Sequence, residues 1–75
     1  MDIRILKINE VVYEGEARGV TVPATSGTMQ ILDGHKPVVA TLKKGEILVA
    51  NKDQTLIEID HGYLEATQDQ VTILL

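Results

Sequence analysis

The chain has 75 residues, room for one domain, and at that size folding hides only about 60% of the surface that the unfolded chain exposes. There is no cysteine to staple so small a core, which suits a reducing compartment and makes a partner the expected source of further support. The net charge is −4, and the seven Lys and Arg are scattered apart from the pair Lys43-Lys44, with no aromatic residues interleaved; nucleic-acid binding is excluded on that pattern.

The apolar residues are almost all Val, Ile and Leu, with two Tyr and no Phe or Trp. Side chains branched at Cβ lose rotamer freedom in helices and pack well on a pleated surface, so the composition favours strands. From the start, Met1-Asp2-Ile3-Arg4 lacks the charged and apolar regions of a signal peptide. An opening strand, Ile3-Arg4-Ile5-Leu6, leads into Val11-Val12-Tyr13-Glu14-Gly15-Glu16. Val20 and Val22 then flank Thr21. Further on, Val38, Ala40 and Leu42 share one parity, with Val39 and Thr41 on the other. Ile47 and Val49 alternate with Glu46, Leu48 and Ala50, and Ile57 and Ile59 with Glu58 and Asp60. Val71, Ile73 and Leu75 close the series against Thr72 and Leu74. A period of two marks strands with one dry and one wetter face.

Turn residues punctuate these runs at intervals of about eight to twelve, as an all-β sandwich requires. Gly15 and Gly45 fall where a hairpin or bulge calls for positive φ. The best helical window, Met29 to Lys44, is interrupted by Gly34 and Pro37. No apolar run approaches the roughly 20 residues that span a bilayer as a helix. The expected fold is a single all-antiparallel β-sandwich over residues 1–75, made of about eight to ten short strands.

Three constellations could carry chemistry. Gly27 to Lys36 contains glycines and a lysine. However, a phosphate loop needs four residues between its glycines, then Lys and Ser/Thr, then a helix; here six intervene and Pro37 follows the Lys. His35 and His61 with Asp33 and Asp60 have the donor types for zinc but no paired short spacing. Glu14 and Glu16 share one strand face across a tight turn, which reads as a solvated face more readily than as an acid–base pair. No catalytic residue, cofactor or metal is expected.

The order of segments adds a resemblance. Val11-Val12-Tyr13-Glu14-Gly15-Glu16, Val20-Thr21-Val22-Pro23, Gly27 with Ile31-Leu32, Gly34-His35-Lys36-Pro37, Leu42-Lys43-Lys44-Gly45, Gly62-Tyr63-Leu64-Glu65 and Val71-Thr72-Ile73-Leu74 follow one another. In that order they resemble the N-terminal β-sandwich of the F-type ATP synthase epsilon subunit, along essentially the whole chain. Ala24, Gln30, Asp33 and His61 depart from its usual residues, at positions that the turn pattern assigns to loops or turns. Members of that family commonly continue into two C-terminal helices, which this chain does not include.

The resemblance implies a non-catalytic rotor part at the foot of the central stalk, held between the gamma subunit and the membrane c-ring at the cytoplasmic face or its organellar equivalent. It implies c-ring contacts at Thr28, Met29 and His35. For Met29 the competing reading is a core side chain between Gly27 and Ile31, and for His35 a turn residue bonded to backbone. Val39, Thr41 and Leu48, on the parity opposite the core, are the expected gamma-facing residues. The alternatives are a stand-alone sandwich that binds another partner and a metal enzyme built on His35, His61 and Asp60.

Overall fold

A computed structural model describes residues 1–75. Nine strands account for the chain: β1 (Asp2–Lys7), β2 (Glu10–Glu16), β3 (Gly19–Ala24), β4 (Gly27–Leu32), β5 (Val38–Leu42), β6 (Gly45–Val49), β7 (Thr55–Ile59), β8 (Gly62–Ala66) and β9 (Gln70–Leu74). They form one curled sheet in the order β2-β1-β9-β8-β5-β3-β6-β7, with β4 on the other side of β3. The curl makes two layers. The first sheet is β2-β1-β9-β8-β5 and the second is β4-β3-β6-β7, and they join where Ala24 of β3 faces Leu42 of β5.

One pairing departs from the all-antiparallel expectation. β1 and β9 run parallel, from Asp2 beside Gln70 to Leu6 beside Leu74. Short hairpins oblige neighbours in sequence to be antiparallel, but nothing of that kind constrains strands from opposite ends of the chain. Every other pairing is antiparallel.

Between the sheets lie fifteen buried apolar side chains, among them Ile3, Ile5, Val20, Val22, Ile47, Val49, Leu64, Val71 and Ile73, and no buried polar side chain. These are the alternating residues of the sequence. A mean burial of this kind contributes about 1.5–3 kcal/mol for each Val, Leu or Ile taken fully out of water. Because the core is aliphatic and holds no charge, there is nothing inside it to be satisfied or switched.

The two ends of the sandwich are distinct. The Met1 end gathers Asp2, Glu16, Gly19, Leu32, Val38, Val49, Thr55 and Gln70; the Lys43 end gathers Lys7, Glu10, Ala24, Gly27, Leu42, Gly45, Ile59 and Gly62. Among the glycines, positive φ occurs at Gly27 (131°) and Gly34 (80°), and not at Gly15 or Gly45 as the turn pattern led one to expect. Those two glycines serve by being small. A Cβ at Gly45 would lie 2.8 Å from Cβ of Pro23, and one at Gly15 would meet the Tyr13 hydroxyl at 3.3 Å.

Candidate functional site

With the core wholly aliphatic, whatever this domain does falls to its outer faces and ends. On the first sheet, register aligns Val11, Leu6, Leu74, Tyr63 and Thr41 in one row across five strands. The row is about 19 Å long at the usual strand spacing. Val11, Leu74 and Tyr63 are exposed, Leu6 is half-buried, and Ile8, in the turn beside the row, is 96% exposed. The next row is polar for most of its length: Glu14, Arg4, Thr72, Glu65 and then Val39. Arg4 Nε donates to Glu14 Oε2 at 3.0 Å, both side chains about half exposed. On the second sheet a shorter row holds Gln30, Thr21, Leu48 and Leu56, beside which Glu46 stands directly opposite Glu58. Contiguous exposed apolar side chains rimmed by polar ones are the signature of a surface that meets another molecule.

The residues singled out from sequence divide by position. Thr28 is exposed, near the start of β4 at the Lys43 end. Met29 points inward and packs against the core, which is the competing reading given for it above. His35 lies beyond the other end of β4, in the loop at the Met1 end; from Thr28 to Leu32 alone the strand advances about 13 Å. The His35 backbone N–H donates to the Leu32 carbonyl at 3.3 Å. Its ring Nδ1–H donates to the Lys36 carbonyl at 2.6 Å. The imidazole therefore braces the turn locally, through the carbonyl of the next residue, while its Nε2 is shielded from solvent and has no partner in the chain. Val39, 60% exposed, and Thr41 belong to the outer face of the first sheet. Leu48, half-buried, belongs to the outer face of the second. One flat surface cannot cover all three.

His35 and His61 sit at opposite ends of the sandwich, since His61 immediately precedes β8 at the Lys43 end. They cannot share an ion, and the metal-enzyme alternative falls on that placement. The strongest electrostatic feature is at the Met1 end. The Met1 α-ammonium donates to the Ala17 carbonyl at 2.9 Å and pairs with Asp33 Oδ1 at 2.8 Å and Glu16 Oε2 at 3.4 Å. The hydrogen bond to Asp33 is the main cause that raises its pKa above the ordinary 8.0, helped by Glu16 and opposed by partial desolvation.

Sequence reasoning missed Leu6, Val11, Tyr63, Leu56 and Leu74 as surface residues. A signal was available for two of them: Leu56 and Leu74 stand on the parity opposite Ile57, Ile59 and Ile73, where a solvated strand face should be polar.

Comparison with known proteins agrees with this architecture. The family model described as the ATP synthase delta/epsilon chain β-sandwich domain matches residues 1–75. An ATP synthase epsilon chain of Bacillus velezensis is 41% identical over 78 residues, covering 96% of this chain and 59% of its own length. One from Campylobacter jejuni is 36% identical over 66 residues, covering 85% of this chain and 51% of its own. The chain thus spans little more than half the length of these relatives. Among solved structures, a chain of the Euglena gracilis mitochondrial ATP synthase superposes with a TM-score of 0.82 at 20% identity, covering 96% of this chain and 48% of that one. A chain of the Tetrahymena thermophila mitochondrial ATP synthase central stalk and c-ring gives 0.78 at 10% identity, covering 97% and 60%. At those identities the two structures speak for the fold alone.

Proposed function

Because the chain belongs to the β-sandwich family of ATP synthase delta and epsilon chains, we propose that it is a non-catalytic part of the central stalk of an F-type ATP synthase. Its task is to join the gamma subunit to the membrane c-ring, so that the two turn together while proton or sodium flow drives ATP synthesis. The observation that carries this reading is the family match along the whole of residues 1–75. A second line of support is that both outer faces carry exposed apolar side chains, the Val11–Tyr63 row on the first sheet and Leu56 beside the half-buried Leu48 on the second, since a coupling part needs more than one partner surface. A close-packed aliphatic interior resists deformation, as a body that carries torque must.

The c-ring side is assigned to Thr28 and His35, with Met29 supporting the strand from inside. Thr28 and His35 lie at opposite ends of β4, and β4 pairs only with β3. Polar loops lying along the open side of β4 would meet both. The gamma side is assigned to Val39 and Thr41 on one face or Leu48 on the other. No helix of the chain is long and apolar enough to cross a membrane, so the chain is read as meeting the membrane only through its partners, on the cytoplasmic or equivalent organellar side.

Calorimetric titration against a purified gamma subunit from the same source tests the proposal. Stoichiometric binding is the expected result; a folded chain with no affinity for gamma refutes it. Val39→Asp and Leu48→Asp, titrated separately, decide between the two faces, because a charge introduced at the centre of a buried contact weakens binding far more than one placed at its rim.

A further inference from the structure

β2 and β7 are the two ends of the main strand path. β7 is held in the ladder by β6 alone, and no backbone hydrogen bond ties it to β2. The curl brings the side of the sandwich that carries β7 near β2 and leaves a seam between them. Near the Lys43 end an open cleft of about 350 Å³ separates β7 from the turn that leads into β2; Lys7, Ile8, Glu58, Ile59, His61 and Leu75 are among the residues that line it. Near the Met1 end the seam is bridged by a side-chain hydrogen bond. Asn51, in the loop between β6 and β7, donates through Nδ2 to the Tyr13 hydroxyl of β2 at 2.9 Å. This is the only side-chain hydrogen bond that links a strand of the first sheet to the second sheet's hairpin.

Both partners are prepared for it. Tyr13 packs partly against the core, and Gly15 leaves the space its ring crosses, since a Cβ there would come 3.3 Å from the hydroxyl. Asn51 also donates to Thr55 Oγ1 at 3.1 Å, and its Oδ1 accepts the Thr55 N–H at 3.2 Å. The Asn51 carbonyl accepts the Gln54 N–H at 3.2 Å, with Gln54 held at φ 52°. The loop is thus fixed in shape before it reaches across to β2.

We propose that the Tyr13–Asn51 hydrogen bond is a latch on the β2–β7 seam, and that this seam is the part of the sandwich that opens independently of the rest. Opening detaches β7 from its neighbour across the gap and uncovers the half-buried Tyr13 and Ile57, while the central strands of the first sheet stay paired. The phenol hydroxyl is what matters, because a phenylalanine would fill the same space without closing the seam.

Amide hydrogen exchange on the folded chain tests this, comparing β7 with β1 and β9. The unaltered chain should exchange its β7 amides faster than those of β1 and β9. Tyr13→Phe should then speed β7 exchange further, by about two- to tenfold for one lost hydrogen bond, with a smaller change in β1 and β9. Tyr63→Phe removes a hydroxyl that bonds to nothing in the chain and should leave β7 exchange unchanged. The proposal is overturned if β7 is as protected as β9 in the unaltered chain. It is equally overturned if Tyr13→Phe speeds both regions by the same factor, or neither.

Discussion

Glu46 and Glu58 face each other across the β6–β7 ladder, both exposed. Directly opposed side chains of like charge oppose pairing, so replacing Glu58 with Lys should stabilise the domain. At a carboxylate separation of about 6 Å in a water-like medium, the repulsion is about 0.7 kcal/mol. Reversing one charge turns it into an attraction of similar size, and surface pairs realise only part of that, roughly 0.2–1 kcal/mol. The net gain expected for Glu58→Lys is about 1 kcal/mol at ~0.01 M salt, where screening acts only beyond about 30 Å. Lys44 and Asp60 line the same shallow depression, and Lys7 shares a cleft with Glu58; the two lysines oppose the new one and Asp60 favours it, so about 1 kcal/mol is the upper end of the gain.

Thermal unfolding followed by far-ultraviolet circular dichroism is the appropriate assay, because the chain has no tryptophan. For a domain of this size, 1 kcal/mol moves Tm by about 4–8 °C. Raising salt to ~1 M shortens the screening length to about 3 Å, so the unaltered chain should gain stability as the variant loses it. Glu46→Lys combined with Glu58→Lys restores like charges and should fall back toward the starting Tm, which isolates the pair from its surroundings. A neutral single variant at low salt, or a double variant as stable as the singles, would show that the register does not place these carboxylates in contact.

Other consequences are as direct. Leu64→Ala empties a site on β8 between Ala40 and Ile73 that is wholly buried, and urea titration should show a loss of about 2–5 kcal/mol. Gly45→Ala drives a methyl group to within 2.8 Å of the rigid Pro23 ring, and the same titration should show a cost of about 1–3 kcal/mol. The raised pKa of the Met1 ammonium means that the folded chain holds this proton more tightly than the unfolded one. Its stabilising contribution is complete below pH 8.0, the ordinary value, and is lost as pH climbs through the raised one. Asp33→Asn, which removes the main cause of the shift, should flatten the stability–pH curve over that alkaline window; an unchanged slope would mean that the ammonium pairs elsewhere.

Much of the fold could be read from alternation alone. Val20 and Val22, Ile47 and Val49, and Val71 and Ile73 are all buried on the parity that the sequence indicates, because a sheet with one dry face imposes a period of two. Parity does not say which sheet a strand joins, and that is why Val39 and Leu48, both on the wetter side, end on opposite outer faces. Sequence proximity misleads in the same way at β4, where Thr28 and His35 are seven residues apart yet at different ends of the body. Gly15 and Gly45 are needed for their smallness and not for positive φ, and the two requirements leave the same mark in a sequence. The Tyr13–Asn51 contact, 38 residues apart, and the parallel β1–β9 pair depend on how the whole chain closes and have no local trace.

That parallel pair orders events during synthesis. β9, the last of these nine strands to be made, lies between β1 and β8 in the middle of the first sheet. Until it leaves the ribosome, β1 and β2 can form no more than an isolated hairpin, which is marginal in water. The second sheet, built from hairpins within residues 19–59, has no such wait. A nascent chain should therefore emerge half-built and apolar on one side, then close in a single late step when its two most distant strands meet, a long-range step of the kind that slows folding.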